Sequence, residues 1–157
     1  MKDNFQIIKG NLLTDFEGDI IAHQVNCQGV MGSGIAYQIK NLYPKLYELY
    51  NHYCYNAKAF NKNILGDATF FQAERFEIAN LFGQNLYGKG SLFTEYSALT
   101  DALIRLVAYM ITNNLKKVGF PYMIGCGVGG GDIDTVMDII VSIFKDTGIT
   151  VVFYDYN

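Results

Sequence analysis

Tryptophan is absent from this chain of 157 residues, and proline and histidine occur only twice each. Three cysteines, Cys27, Cys54 and Cys126, are odd in number and lack metal-ligand spacing. That usage argues against a disulfide-stapled scaffold and fits a reducing, cytoplasmic setting. His23 and His52 do not pair on one face, so a zinc or di-iron centre has little to build on and no metal or cofactor is expected. Positive charge is scarce too: twelve Lys and Arg are scattered among fifteen Asp and Glu, for a net charge of -3. A protein that grips nucleic acid by neutralising phosphates is thereby disfavoured. The start, "MKDNFQIIKGNLL", has no long apolar stretch, and no run of 18 apolar residues occurs anywhere, so no membrane partner is expected. Repeats, low-complexity tracts and linkers are missing as well.

What is present is apolar and aromatic. Half of the residues are hydrophobic, with 12 Tyr and 11 Phe, enough for one compact domain over residues 1–157 with a full core. "NFQIIKG" and "DIIAHQVN" read as short buried strands, and "SGIAYQIKNLYPKLYELYNHY" as helix divided by Pro44. "DATFFQAERFEIANLF" reads as two strands joined at Glu74 to Phe76. Leu99, Leu103, Leu106, Val107 and Met110 then form one stripe of a helix, and "KKVGFPY" is a strand. Val136, Ile139, Ile140 and Ile143 mark a last helix before the closing strand "GITVVFYDY". Alternating strands and helices predict a three-layer α/β/α sandwich around a mixed, largely parallel sheet.

Two glycine-rich loops, Gly29 to Gly34 and Gly125 to Gly131, each follow a strand and lead into a helix. In an open α/β sheet such loops face one crevice, where backbone N–H groups and helix N-termini favour an anion. Either loop alone is explained by a tight strand-to-helix turn; the pair together suits a diphosphate.

The strings "VNCQGVMGSGIAYQI" and "GFPYMIGCGVGGGDIDTV", with "GNLL" upstream, resemble the macro domain, the ADP-ribose-binding α/β/α module. The likeness spans almost the whole chain. It is greatest to the branch that holds the ADP-ribose 1''-phosphate phosphatases, the terminal ADP-ribose protein glycohydrolase and the antitoxin that removes ADP-ribose from DNA. The resemblance implies ADP-ribose or a 1''-substituted derivative as ligand, with nucleic acid a partner only when ADP-ribosylated. It implies a hydrolase acting at the 1'' position; the alternatives are a non-catalytic binder and an ADP-ribosyl hydrolase of protein or nucleic acid.

Residue by residue, the resemblance puts Asn26 on the distal ribose. Gly29, Val30, Met31, Gly32, Ser33, Gly34 and Ile35 match the first phosphate loop, and Gly125, Cys126, Gly127, Val128, Gly129 and Gly130 the second. Asn11 stands where many members carry an adenine-contacting Asp, and Ile20 would support the adenine. Tyr154 matches an aromatic near the adenine, or else caps the sheet edge. "GQNLYGKGS", Gly83 to Ser91, nearly spells a Walker A loop but has Gly90 where Ser or Thr should bind magnesium. The resemblance makes it instead a border of the distal ribose.

For catalysis, the lysine of covalent glycohydrolases would fall near Gly83 and its partner aspartate near Gly129, and neither residue is present. His23 matches the histidine of "H-x-x-N-C" in the phosphatases and would act on water or on the leaving oxygen. The other reading is a buried strand histidine bonded to its surroundings. Asp132 is the candidate acidic partner, or the N-cap of the helix beginning near Ile133. Cys27 and Cys126 read as packing residues.

Overall fold

The computed structural model describes residues 4–156. Strand β1 (Phe5–Lys9) leads through a short helix, α1 (Leu12–Asp15), into β2 (Ile20–Gln24). The first glycine loop then opens α2 (Gly34–Leu42), and Pro44 occupies the first turn of α3 (Pro44–Ala59), where its missing N–H costs no hydrogen bond. Strands β3 (Ala68–Gln72) and β4 (Glu77–Leu81) pair antiparallel, joined by the turn read at Glu74 to Phe76. Helix α4 (Tyr96–Thr112), β5 (Lys117–Pro121), α5 (Ile133–Phe144) and β6 (Thr150–Asp155) complete the chain.

The six strands lie in the order β1-β6-β5-β2-β4-β3, parallel except for β3 against β4. Side chains alternate across each strand, so each face carries its own core. Ile20, Ala22, Ala79, Leu81, Val118 and Phe120 pack under α4 and α5, beneath the stripe of Leu99, Leu103, Leu106 and Met110. Ile21, Val25, Ile78, Val152 and Tyr154 pack under α1 to α3, against Phe16, Ile39, Leu46 and Tyr50. This is the α/β/α sandwich that the alternating pattern predicts. Helix α1 is the one element the pattern does not show; at four residues it is too short to carry a period.

The parallel order leaves the carboxyl ends of β5, β2 and β4 side by side. Both glycine loops spring from that edge, and the site lies there.

Candidate functional site

A cleft of about 540 Å³ opens across the carboxyl ends of β5, β2 and β4. Gly32 to Ala36 form one wall and Gly125, Gly127, Val128 and Gly129 the other. Gln24, Val25 and Asn26 make the floor between them. The β5 end is apolar, with Pro121 and Met123; the β4 end, with Gln84, Tyr87 and Lys89, is polar. Lys89 is the one charged side chain that lines the cleft among the described residues.

The first wall is a helix start. Ser33, the N-cap of α2, makes no side-chain capping bond. Among the described residues, the N–H groups of Gly34, Ile35 and Ala36 find no acceptor within the protein. The second wall has the same property at Gly127, Val128 and Gly129. Six unpaired amides thus line two sides of one cleft, beside the positive end of a helix dipole. Such a cradle suits a ligand with negative oxygens along its length.

Each wall is fixed from the cleft floor and from the elements behind it. Asn26, 7% exposed, donates from Nδ2 to the Val30 carbonyl at 2.8 Å and accepts from the Gln28 N–H at 2.9 Å. Helix α3 braces the same loop: the Tyr50 hydroxyl is 2.7 Å from the Asn26 carbonyl, while the Tyr47 hydroxyl and Asn51 Nδ2 each donate to the Gly29 carbonyl at 3.1 Å. In the second loop, Thr94 Oγ1 donates to the Gly125 carbonyl at 2.6 Å, and the Thr94 N–H donates to the Gly129 carbonyl at 2.9 Å. Gln24 Nε2 reaches Thr94 Oγ1 and Gln84 Oε1, each at 2.8 Å, tying the floor to both neighbours. Gly130 has φ of +75°, a conformation that glycine adopts at no steric cost, and a Cβ there would run into the Ser91 carbonyl.

The sequence candidates divide on this geometry. Asn26, Val30, Gly32, Ser33, Gly34, Ile35, Gly125, Gly127, Val128 and Gly129 line the cleft. Gly29, Met31 and Cys126 belong to the loops but lie behind their walls; Met31 is buried in the core under α2 and α3. Gly130 borders an adjoining depression. Gln24, Ala36, Tyr87, Met123 and Ile124 also line the cleft, and the sequence does not mark them out as individual site residues. Their signal was positional: each lies within a few residues of a glycine loop or on the Gly83 to Ser91 segment.

The three adenine candidates are outside the cleft lining, although Asn11 follows the carboxyl end of β1 and Tyr154 on β6 pairs with Pro121 at the β5 end of the cleft. Asn11 caps α1, its Oδ1 accepting from the Leu13 N–H at 2.9 Å. Ile20 begins β2, at the end of the strand away from the cleft, and is fully buried under α4 and α5. Tyr154 stands edge-on to Phe16 with ring centroids 6.2 Å apart, and is 8% exposed. None of them lines the cleft.

Nor do the catalytic candidates. His23 shares a face of β2 with Ile21 and Val25, is 1% exposed, and bonds through Nε2 to Asn80 Oδ1 at 2.7 Å. Burial holds its pKa down to about 4, against the opposing effect of that hydrogen bond. Asp132 is the N-cap of α5, accepting from the Thr135 N–H and hydroxyl at 3.0 and 2.9 Å. Those bonds favour its charged form and lower its pKa. Burial pushes the Cys27 thiol up to about 12 and the Cys126 thiol up to about 11, so both are protonated at neutral pH and inert as nucleophiles. Among the described residues no three His, Cys, Asp or Glu side chains come together to hold a metal ion, and no helix is long and apolar enough to cross a membrane.

Comparison with known proteins bears on the same segments. The chain is 31% identical over 137 residues to an uncharacterised 17.5 kDa protein of enterobacteria phage T4, covering 85% of each. It is 28% identical over 148 residues to the ADP-ribose 1''-phosphate phosphatase of Scheffersomyces stipitis, covering 87% of this chain and 84% of that one. In three dimensions it matches the macrodomain of Mycobacterium tuberculosis DarG with a TM-score of 0.82 at 25% identity over 98% of each chain. The model of the macro domain matches residues 22–140, a stretch that contains both glycine loops and the strands and helices that aim them, and the chain belongs to the macro domain family.

Proposed function

We propose that the cleft binds ADP-ribose. The observation that carries this reading is the pair of facing loops whose amides at Gly34 to Ala36 and Gly127 to Gly129 are unpaired within the protein. Two linked phosphates match two donor arrays, each supplying charge-assisted bonds without a metal. The adenosine lies toward the apolar β5 end, over Pro121 and Met123 and beside Val30 and Ile35. The distal ribose lies toward the β4 end, where Gln84, Tyr87 and Lys89 offer polar atoms. Asn26, already committed to Val30 and Gln28, serves the ribose chiefly by holding the first loop in shape.

A second reading, hydrolysis of a group at the 1'' position, draws on the likeness to the S. stipitis phosphatase. ADP-ribose 1''-phosphate is the first substrate to try, and ADP-ribosylated protein or nucleic acid the next. The cleft lining holds no imidazole, carboxylate or thiol, so any turnover rests on oriented water, the amide cradle and Lys89. Such a site makes a slow phosphatase, since phosphate monoesters are among the least reactive substrates without catalysis. Calorimetric titration with ADP-ribose tests binding, and phosphate release from ADP-ribose 1''-phosphate tests turnover. Binding without release leaves the binder; absence of binding removes both readings.

A further inference from the structure

Beside the cleft, on the outer side of the second loop, lies a more open depression of about 560 Å³ bounded by Lys89, Gly90, Ser91, Leu92, Val128 and Gly130. It shares Lys89, Gly127 and Val128 with the cleft, so the two are one continuous surface with Lys89 at the junction. Resting on the ADP-ribose reading, we infer that this depression receives a phosphate-bearing substituent on the distal ribose, and that Lys89 selects it over a neutral one.

Three observations converge on that assignment. The first is charge: Lys89 is the one charged side chain lining either cavity among the described residues, in a chain whose net charge is -3. A single cation there is a local feature rather than part of a basic surface. Second, Lys89 is uncommitted: the ion pairs formed among the described residues are Lys9 with Asp155 and Lys45 with Glu48, and Lys89 has no hydrogen-bond or ring partner there. An unpaired ammonium on a four-carbon stem is free to meet an anion. Third, the space beside it is open: Gly90, the next residue, has φ of +79° and no atom within 4 Å of where a Cβ would stand. Gly127 and Val128, whose amides belong to the diphosphate cradle, also border this depression, so a substituent held there lies next to that cradle.

The phosphate has two sources, a 1''-phosphate monoester and the backbone phosphate of an ADP-ribosylated nucleic acid, and the depression has room for either. The neutral control is 1''-O-methyl-ADP-ribose. Competition binding with ADP-ribose, its 1''-O-methyl ether, ADP-ribose 1''-phosphate and an ADP-ribosylated trinucleotide separates them. At low salt, at least one phosphate-bearing ligand should bind the wild type roughly tenfold more tightly than the 1''-O-methyl ether. Which of them gains names the source. Lys89→Met should bring that preference to within about twofold, Lys89→Arg should keep it, and added salt should erode it in the wild type and in Lys89→Arg. A wild type that binds ADP-ribose yet shows no preference for phosphate, or a preference that survives Lys89→Met, overturns the assignment. A wild type that binds none of the four overturns the ADP-ribose reading with it.

Discussion

The imidazole Nε2 of His23 lies 2.7 Å from Oδ1 of Asn80, the residue directly across from it where β2 and β4 pair. An amide oxygen only accepts, so Nε2 carries the proton, and Nδ1 is left without a partner among the described residues. Asn80 Nδ2 passes the chain on to Thr69 Oγ1 at 3.3 Å. His23, Asn80 and Thr69 therefore form a polar row across three strands on the face covered by α1 to α3, away from the ligand cleft.

That burial makes stability depend on pH. Unfolded, the imidazole titrates near 6.5; folded, at about 4. Between those values the unfolded chain holds the extra proton, so stability is lost as pH falls from about 6.5 toward 4. This one group should cost on the order of 3 kcal/mol between pH 7 and pH 4. Urea unfolding of wild type and His23→Gln at both pH values measures it: the gap between them should narrow by that amount in acid. A gap independent of pH contradicts the buried neutral imidazole.

Gly127 and Gly129 separate the ligand from the backbone. A Cβ at Gly127 meets nothing within 4 Å, and its φ lies outside the left-handed region, so Gly127→Glu should fold normally while placing a negative charge in the cradle. ADP-ribose binding should fall below detection with little change in melting temperature. A Cβ at Gly129 stands 2.7 Å from Thr94 Oγ1 and 3.0 Å from the Gly125 carbonyl, so Gly129→Ala should disturb the loop and lower the melting temperature as well. Normal binding by Gly127→Glu would show that this wall does not touch the ligand.

Thr94 tests how the second loop is held. Thr94→Val keeps the shape but removes the hydroxyl that donates to Gly125 and accepts from Gln24. Because Gly125 still accepts from the Gly131 N–H, no carbonyl is orphaned and the stability loss should stay near 1 kcal/mol. The loosened wall should weaken ADP-ribose roughly three- to tenfold by calorimetry. Unchanged affinity would mean that the loop is rigid without this strut.

Asp132 should behave as a cap. Asp132→Ala should lower the melting temperature, Asp132→Asn should restore most of it because asparagine caps as well as aspartate, and ADP-ribose affinity should be the same in both. Loss of turnover in Asp132→Asn with stability intact would return the residue to the chemistry.

The architecture was legible because its signals are local and periodic: the Leu99 to Met110 stripe, the break at Pro44 and the loops flanking α2 and α5 each carry their own evidence. The walls were legible for the same reason, since glycines at strand ends announce a close approach. What the chain did not reveal depends on where a strand sits in the sheet. His23 looks like a site residue three positions before Asn26, but strand alternation turns it toward Asn80 and the α1 to α3 layer. Ile20 precedes Asn26 by six residues in an extended strand and so lies at the far end of β2. Asn11 is the N-cap of α1, a helix too short to leave a pattern, and Tyr154 on β6 packs its ring beside Phe16 at the end of that helix. Gln24 gave no sign beyond its place near the first glycine loop, since only the meeting of β2 with Thr94 and Gln84 shows it holding the cleft floor.

The most direct test of the whole account is calorimetric titration of the wild type with ADP-ribose beside AMP. The paired loops act on the diphosphate and the β4 end on the distal ribose, so ADP-ribose should bind with one-to-one stoichiometry and AMP far more weakly. At a hundredfold excess over Kd, ADP-ribose should also raise folding stability by about 2.7 kcal/mol. No binding heat and no thermal shift with millimolar ADP-ribose, or AMP binding as tightly as ADP-ribose, would contradict the cradle.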